Sequence, residues 1–353
     1  MSEDLVVYGS YGYTGSLITE ALVDRGYAPL LAGRDRDRLS DQAIQAGCEF
    51  EVVALDEPRV LDMVLEDATA VLHCAGPFTR TAAPMVEACL RTGTHYLDIT
   101  GEIDVFEAAH DRDSDAEEAG VMLLPGTGFD VVPTDCLAAH LHERLPDATE
   151  LELAFEADLG VSPGTAKTAV EQLGSGGKVR RDGRIVGVPS AHATRRVDFG
   201  WGTDDRHAAA IPWGDVSTAY HTTGIPNVTV YMSMPPSAVR WQRAAAYLSP
   251  VFGLDPVKQF LQWLVDTQVT GPDANERANA ESYVWGEART DDGGRVVSRV
   301  RCPHTYTTTV ETALAVAERA LDGDAPTGFQ TPAGAYGPDL ILDVPGTERE
   351  DVV

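Results

Sequence analysis

Lysine is nearly missing from this chain: 353 residues carry only three (Lys167, Lys178 and Lys258), against 24 arginines. Positive charge as a whole is short, with 27 basic against 55 acidic residues and a net charge of −28. A balance this acidic excludes a broad phosphate-neutralising face, and with it nucleic acid as a partner. An acidic, lysine-poor surface on an otherwise ordinary composition instead predicts a halophilic protein, because concentrated salt screens the self-repulsion that opposes a compact state. Cysteine is also sparse. The five (Cys48, Cys74, Cys89, Cys136 and Cys302) are widely spaced and contain no CxxC pair, which excludes a disulfide frame or a zinc site and predicts reduced thiols in a cytoplasmic protein, with no metal. Long apolar runs are lacking too. The longest stretch without charge, residues 216–239, is rich in Thr, Ser, His, Asn and Pro, so it does not read as a membrane span. The N-terminus passes directly into an acidic, strand-like segment, so no signal peptide is expected.

What is present is alternation. Short apolar runs at 5–8 (LVVY), 29–32, 50–55, 70–74 (AVLHC), 95–97 and 121–124 (VMLL) alternate with helical patterns, among them 58–66, 81–91, 103–118 and a helix from Pro133 to about Arg144. This rhythm predicts an α/β fold: an N-terminal Rossmann domain with a parallel sheet and helices on both faces, spanning 1–149. Beyond residue 150 the texture changes. Leu151–Ala157 alternates with period two, and further strand-like pieces lie at 184–188 and 195–199. Residues 216–223 and 227–234 read as one hairpin, and 283–290 with 295–301 as another. The expectation for 150–304 is an α+β domain on a mostly antiparallel sheet, concerned with substrate or oligomerisation. A helix at 306–321 and a Pro/Gly-punctuated tail follow, expected to pack back on the first domain as a segment 305–353.

The strongest local signal is Gly9-Ser10-Tyr11-Gly12-Tyr13-Thr14-Gly15, between the first strand and the first helix. Glycines let a backbone turn sharply and approach a pyrophosphate, and the helix N-terminus presents free N–H groups to it. Cofactor type is read at the end of the second strand, where an acidic residue selects NAD and an arginine selects NADP. Arg34 stands there, in Gly33-Arg34-Asp35-Arg36-Asp37-Arg38. Its planar fork suits a 2′-phosphate, Arg38 is a second candidate contact, and Asp35 suits an N-cap. NADP(H) is the expected cofactor. At the end of the fourth strand Cys74-Ala75-Gly76-Pro77 are small enough for a dinucleotide to pass close to backbone.

Hydride transfer also calls for a proton donor beyond the strand ends. The candidates there are Tyr96, Asp98, Glu102 and Asp130. No Tyr-x-x-x-Lys pair lies at a strand end. Lys167 is conspicuous among so few lysines, yet reads first as a surface residue. Residues 239–265 form an apolar segment around Trp241, Phe252, Phe260 and Trp263 with a local surplus of positive charge, open between core or a homodimer interface, a lid over a greasy substrate and a peripheral membrane contact.

Taken jointly, VVYGSYGYTGSLI (6–18), LLAGRDRDRL (30–39), VLHCAGPFT (71–79), GTHYLDITGE (93–102), LLPGTGFDVVPTD (123–135), SPGT (162–165) and GFQTPAGAYG (328–337) resemble the saccharopine dehydrogenase-like oxidoreductases, in particular the branch containing trans-acting enoyl reductases. The resemblance implies an NADP-binding Rossmann domain and oxidoreductase activity. Its enoyl reductase branch implies reduction of a C=C bond in a small, apolar, lipid-like or isoprenoid substrate, and so a place in lipid metabolism. The family name suggests a second reading, an amino-dicarboxylate C–N oxidoreductase, for which Arg180, Arg181, Arg195 and Arg196 are the dense cationic candidates. A third is a non-catalytic NADP-binding scaffold.

Overall fold

The structure, a computed structural model, describes residues 4–157, 176–246 and 271–353. Lys167, the SPGT motif and the apolar segment from 247 onward lie outside the described residues. The chain divides into two compact units, Met1–Asp130 with Tyr306–Ala335, and Val131–Thr305 with Tyr336–Val353.

The first unit is built on strands that are apolar on both faces. β1 (Leu5–Tyr8), β2 (Leu30–Gly33), β3 (Phe50–Val52), β4 (Ala70–His73), β5 (His95–Asp98) and β6 (Met122–Leu124) run parallel in the order β3-β2-β1-β4-β5-β6, and β15 (Gly328–Phe329) extends the β6 edge. Such runs suit a sheet covered by helices on each side. Val6, Tyr8, Val71, Tyr96 and Leu123 share one core with Leu61 and Leu65 of α3 (Pro58–Leu65) and Met85 and Cys89 of α4 (Phe78–Thr92). The intervening residues Val7, Leu31, Leu72 and Leu97 are fully buried as well. α1 (Tyr13–Asp24) buries Ile18 and Leu22, and Arg25 just beyond it pairs with Glu311 and Glu318 of the long helix Thr305–Leu321. The strand order reverses between β1 and β4, the place where α/β sheets open a crevice at the strands' carboxyl ends.

The second unit holds a mixed sheet of order β10-β11-β12-β7-β13-β14-β16, in which only β7 (Glu150–Glu156) and β12 (Asn227–Ser233) pair in parallel among the described strands. β8 (Gly177–Arg181) and β9 (Arg184–Val188) form a hairpin attached to β12. The expected 283–290 and 295–301 hairpin is β13 (Glu281–Arg289) with β14 (Arg295–Pro303). β10 (Thr194–Val197), β11 (Arg206–Ile211) and β16 (Glu348–Asp351) complete the path. α7 (Val132–Arg144) packs against this sheet. Gly286 of β13 gives it room, since a Cβ there would come within 2.6 Å of the Leu141 methyl. The sequence reading grouped this helix with the first domain, whereas it lies in the second unit.

One expected strand is a helix. Residues Asp215–Thr223 form α8, not the first arm of a hairpin with 227–234. Its Thr, Val and Tyr content suggests a strand, but tertiary contacts override that preference: Thr222 donates to Asp135 of α7 at 2.6 Å, and Gly224 ends the helix in the left-handed conformation at φ +73°. The expected helix 103–118 is likewise two, α5 (Ile103–His110) and α6 (Asp113–Ala119).

Candidate active site at the carboxyl edge of the parallel sheet

The loop between β1 and α1 is shaped by its glycines. Gly9 adopts φ +78° and lies so close to Ala75 that a Cβ would fall 2.8 Å from that methyl; at Gly15 a Cβ would fall 2.5 Å from the Gly9 carbonyl oxygen. These two are glycine because the chain itself fills the space. Gly12 differs. A Cβ there would meet only the Gly9 carbonyl, at 3.2 Å, and Gly12 caps α1 with no side chain of its own to cover the helix start. The buried Ser10 hydroxyl beside them has no hydrogen-bond partner among the described residues. A helix start whose cap has no side chain, next to an orphaned hydroxyl, fits a pyrophosphate.

At the end of β2 the charged residues divide into two groups. Asp35 caps α2 (Arg36–Ala46) by accepting from the Arg38 backbone N–H at 3.2 Å. Its carboxylate is thereby spent on the helix rather than left for a ribose hydroxyl. Arg34 is exposed, and its guanidinium makes no hydrogen bond or ion pair among the described residues. The Arg38 guanidinium donates to the Tyr11 carbonyl at 2.7 Å and lies 4.7 Å above the Tyr11 ring. Gln42, one helical turn later, donates to the Ser10 carbonyl at 2.9 Å. Sequence reading missed Gln42, although its position four after Arg38 puts both on one face of α2.

β4 ends in His73, whose imidazole packs against Tyr8, Phe78 and Tyr96 with both ring nitrogens unpartnered among the described residues. Burial holds its pKa down at about 3, so the ring is neutral. The Cys74 thiol that follows is pushed up by burial and then by the Asp98 charge, which leaves it unreactive. Gly76 precedes a cis peptide to Pro77, and Thr81 donates to the Ala75 carbonyl at 2.6 Å, holding this turn against the start of α4.

The four proton-donor candidates lie beyond β5 and β6, and their surroundings separate them. Tyr96 is fully buried and donates its hydroxyl to Asp98 at 2.6 Å. The other Asp98 oxygen accepts from the backbone N–H groups of Thr100 (2.9 Å) and Gly126 (2.8 Å). Burial raises the Asp98 pKa to about 6 against the opposing pull of these three donors. The pair therefore ties the β5 end to the loop after β6. Glu102 places one oxygen on the Phe78 N–H at 3.3 Å and the other on the Thr79 N–H at 2.7 Å, so it caps the N-terminus of α4. Asp130 is partly exposed and stands beside Gly101, where a Cβ would lie 3.0 Å from its carboxylate. Burial first, and then the neighbouring Glu102 charge, raise its pKa to about 7. The loop carrying it is fastened by the long helix: Thr309 accepts from the Phe129 N–H at 3.0 Å, and Thr312 donates to the Thr127 carbonyl at 2.7 Å.

Residues 5–124 match the family model described as the saccharopine dehydrogenase NADP binding domain. The chain is 29% identical over 208 residues to a trans-acting enoyl reductase of Mycobacterium tuberculosis, covering 55% of this chain and 50% of that protein. It is 29% identical over 203 residues to a saccharopine dehydrogenase-like oxidoreductase of Rattus norvegicus, covering 50% and 47%. The chain thus spans about half the length of the curated relatives it matches. Its fold is similar to that of the apo saccharopine dehydrogenase (L-Glu forming) of Saccharomyces cerevisiae, with a TM-score of 0.67 over 99% of this chain and 100% of that one, at 13% identity.

Proposed function

We propose that the chain, whose residues 5–124 match the model of the saccharopine dehydrogenase NADP binding domain, is an NADPH-dependent oxidoreductase that reduces a C=C bond of an apolar, lipid-like or isoprenoid substrate. The observation that carries the cofactor half is the division at the end of β2, where Asp35 is committed to capping while Arg34 remains unspent. The substrate half is supported by the likeness to trans-acting enoyl reductases.

Bound at this edge, the dinucleotide would supply the hydride. Gly12 and the Ser10 hydroxyl would hold its pyrophosphate, Arg34 its 2′-phosphate, and Ala75 to Pro77 would let it pass close to backbone. Asp130 is the residue to hold the second hydrogen: raised to about 7, its carboxyl is protonated in a large share of molecules at neutral pH and can release that proton to the carbon left electron-rich by hydride addition. Tyr96, Asp98 and Glu102 act as braces around it.

The amino-dicarboxylate reading finds less support. Arg180 is buried, donates to the Val216 and Gly183 carbonyls at 2.8 Å each and lies over the Tyr220 ring. Arg195 pairs with Glu152 and Glu287 and lies 4.0 Å from the Trp285 ring. Both are committed within their own unit. The test is titration of the protein in molar KCl with NADPH and NADH, following nicotinamide fluorescence, then NADPH consumption with α,β-unsaturated lipid substrates. NADPH should bind the more tightly, and Arg34→Asp should remove that preference. Equal or tighter NADH binding would overturn the cofactor assignment, and NADPH binding without turnover on any such substrate would overturn the enoyl reductase half.

A further inference from the structure

Tyr11 occupies an unexpected place for a phosphate-loop residue. Its ring lies against the end of β2, so close that a Cβ on Gly33 would come within 2.6 Å of Cε1 and 3.2 Å of the hydroxyl oxygen. That hydroxyl accepts the Arg34 backbone N–H at 3.3 Å. An acceptor role leaves the O–H hydrogen itself available to donate. The Tyr11 O–H and the unspent Arg34 guanidinium therefore issue from the same point, the carboxyl end of β2, where a ribose 2′ substituent is read in this fold. The Arg38 guanidinium is by contrast employed on Tyr11 itself, on its carbonyl at 2.7 Å and over its ring. Gln42 secures the preceding residue through the Ser10 carbonyl.

We propose that the Tyr11 hydroxyl is the second donor to the 2′-phosphate of the dinucleotide, and that Arg38 is a positioning residue that holds Tyr11 there rather than a ligand of the phosphate. This rests on the NADPH reading above and specifies how the chain tells the two dinucleotides apart. Arg34 supplies charge, Tyr11 supplies a directed O–H, and α2 clamps the loop through Arg38 and Gln42. The phosphate gains a charge-assisted hydrogen bond that a 2′-hydroxyl cannot match in strength.

The experiment uses the full chain and two probes that differ only in the 2′-phosphate, 2′,5′-ADP and 5′-AMP, titrated by calorimetry. The wild type is expected to prefer 2′,5′-ADP. Tyr11→Phe keeps the ring and its packing, and is expected to cut that preference about tenfold, the worth of one hydrogen bond to a charged group, with 5′-AMP affinity unchanged. Arg38→Ala should also lower the preference, but not further when added to Tyr11→Phe, because a residue acting through the hydroxyl has nothing left to position. An undiminished preference in Tyr11→Phe overturns the proposal. So does an Arg38→Ala loss of equal size in both backgrounds, which would make Arg38 a direct ligand. Failure of the underlying reading shows separately, in the wild type, as equal binding of the two probes.

Discussion

At the scale of single residues, the difference between Asp98 and Asp130 lies in their exposure and in the charge beside them. Both carboxyls are raised by burial, yet Asp98 accepts three hydrogen bonds at 2.6–2.9 Å and is fully buried, whereas Asp130 is partly exposed and raised further by Glu102. A donor must be protonated when it acts. For a carboxyl raised from 3.8 to about 7, the neutral form persists up to that pH and is lost as pH rises through it. The rate of NADPH oxidation with substrate is therefore expected to be level below pH 7 and to fall about tenfold per unit above it. Asp130→Asn should lower the rate by about 10²- to 10⁴-fold and abolish this alkaline fall, while NADPH affinity stays as in the wild type. An alkaline limb that survives Asp130→Asn unchanged would assign the proton to another group.

At the scale of elements, α4 starts at a turn whose own residues provide no cap, since Pro77 precedes it and no local side chain accepts its first N–H groups. Glu102, from the start of α5, does so with both oxygens. Removing it in Glu102→Ala should cost about 1–2 kcal/mol, measured as a lowered urea midpoint, with Glu102→Gln intermediate because the charge on the helix dipole is lost but an acceptor stays. An unchanged midpoint in Glu102→Ala would mean that water caps α4 equally well. This contact also marks a limit of sequence reading. The parallel strands, the Asp35 cap and the β13–β14 hairpin were legible because each is encoded locally, by apolar runs, by a capping residue or by the turn Thr290-Asp-Asp-Gly-Gly. Glu102 could be recognised only as a carboxylate near a strand end, because its partners lie 23 and 24 residues away. α8 departs from its strand-like composition for a related reason, since its β-branched Thr222 is tied to α7 through Asp135. β16, with the sequence Glu-Arg-Glu-Asp, carries no apolar alternation at all and exists through its pairing with β14.

At the scale of the whole chain, the net charge of −28 bears on both stability and cofactor capture. Acidic repulsion opposes compactness, and its range shrinks as the Debye length falls from about 10 Å at 0.1 M salt to about 3 Å at 1 M. The thermal midpoint is therefore expected to rise steadily as KCl increases from 0.1 to 2 M. The ion pairs already present, such as Arg25 with Glu311 and Glu318 or Arg91 with Asp62, are part-exposed and weaken in salt. With 55 acidic against 27 basic residues, the carboxylates far outnumber the cations that could pair with them, so repulsion dominates the balance and its loss decides the sign. NADPH carries more negative charge than NADH, so the same field resists it more strongly at low salt, while its contact with Arg34 weakens at high salt. The two effects are separable. The repulsion is shared by Arg34→Asp and wild type, whereas the contact is present in the wild type alone. Preference for NADPH over NADH should thus vary with KCl in the wild type and lose that part of its salt dependence in Arg34→Asp. A midpoint that falls with KCl would instead mean that the ion pairs outweigh the repulsion, and the acidic composition would not be an adaptation to salt.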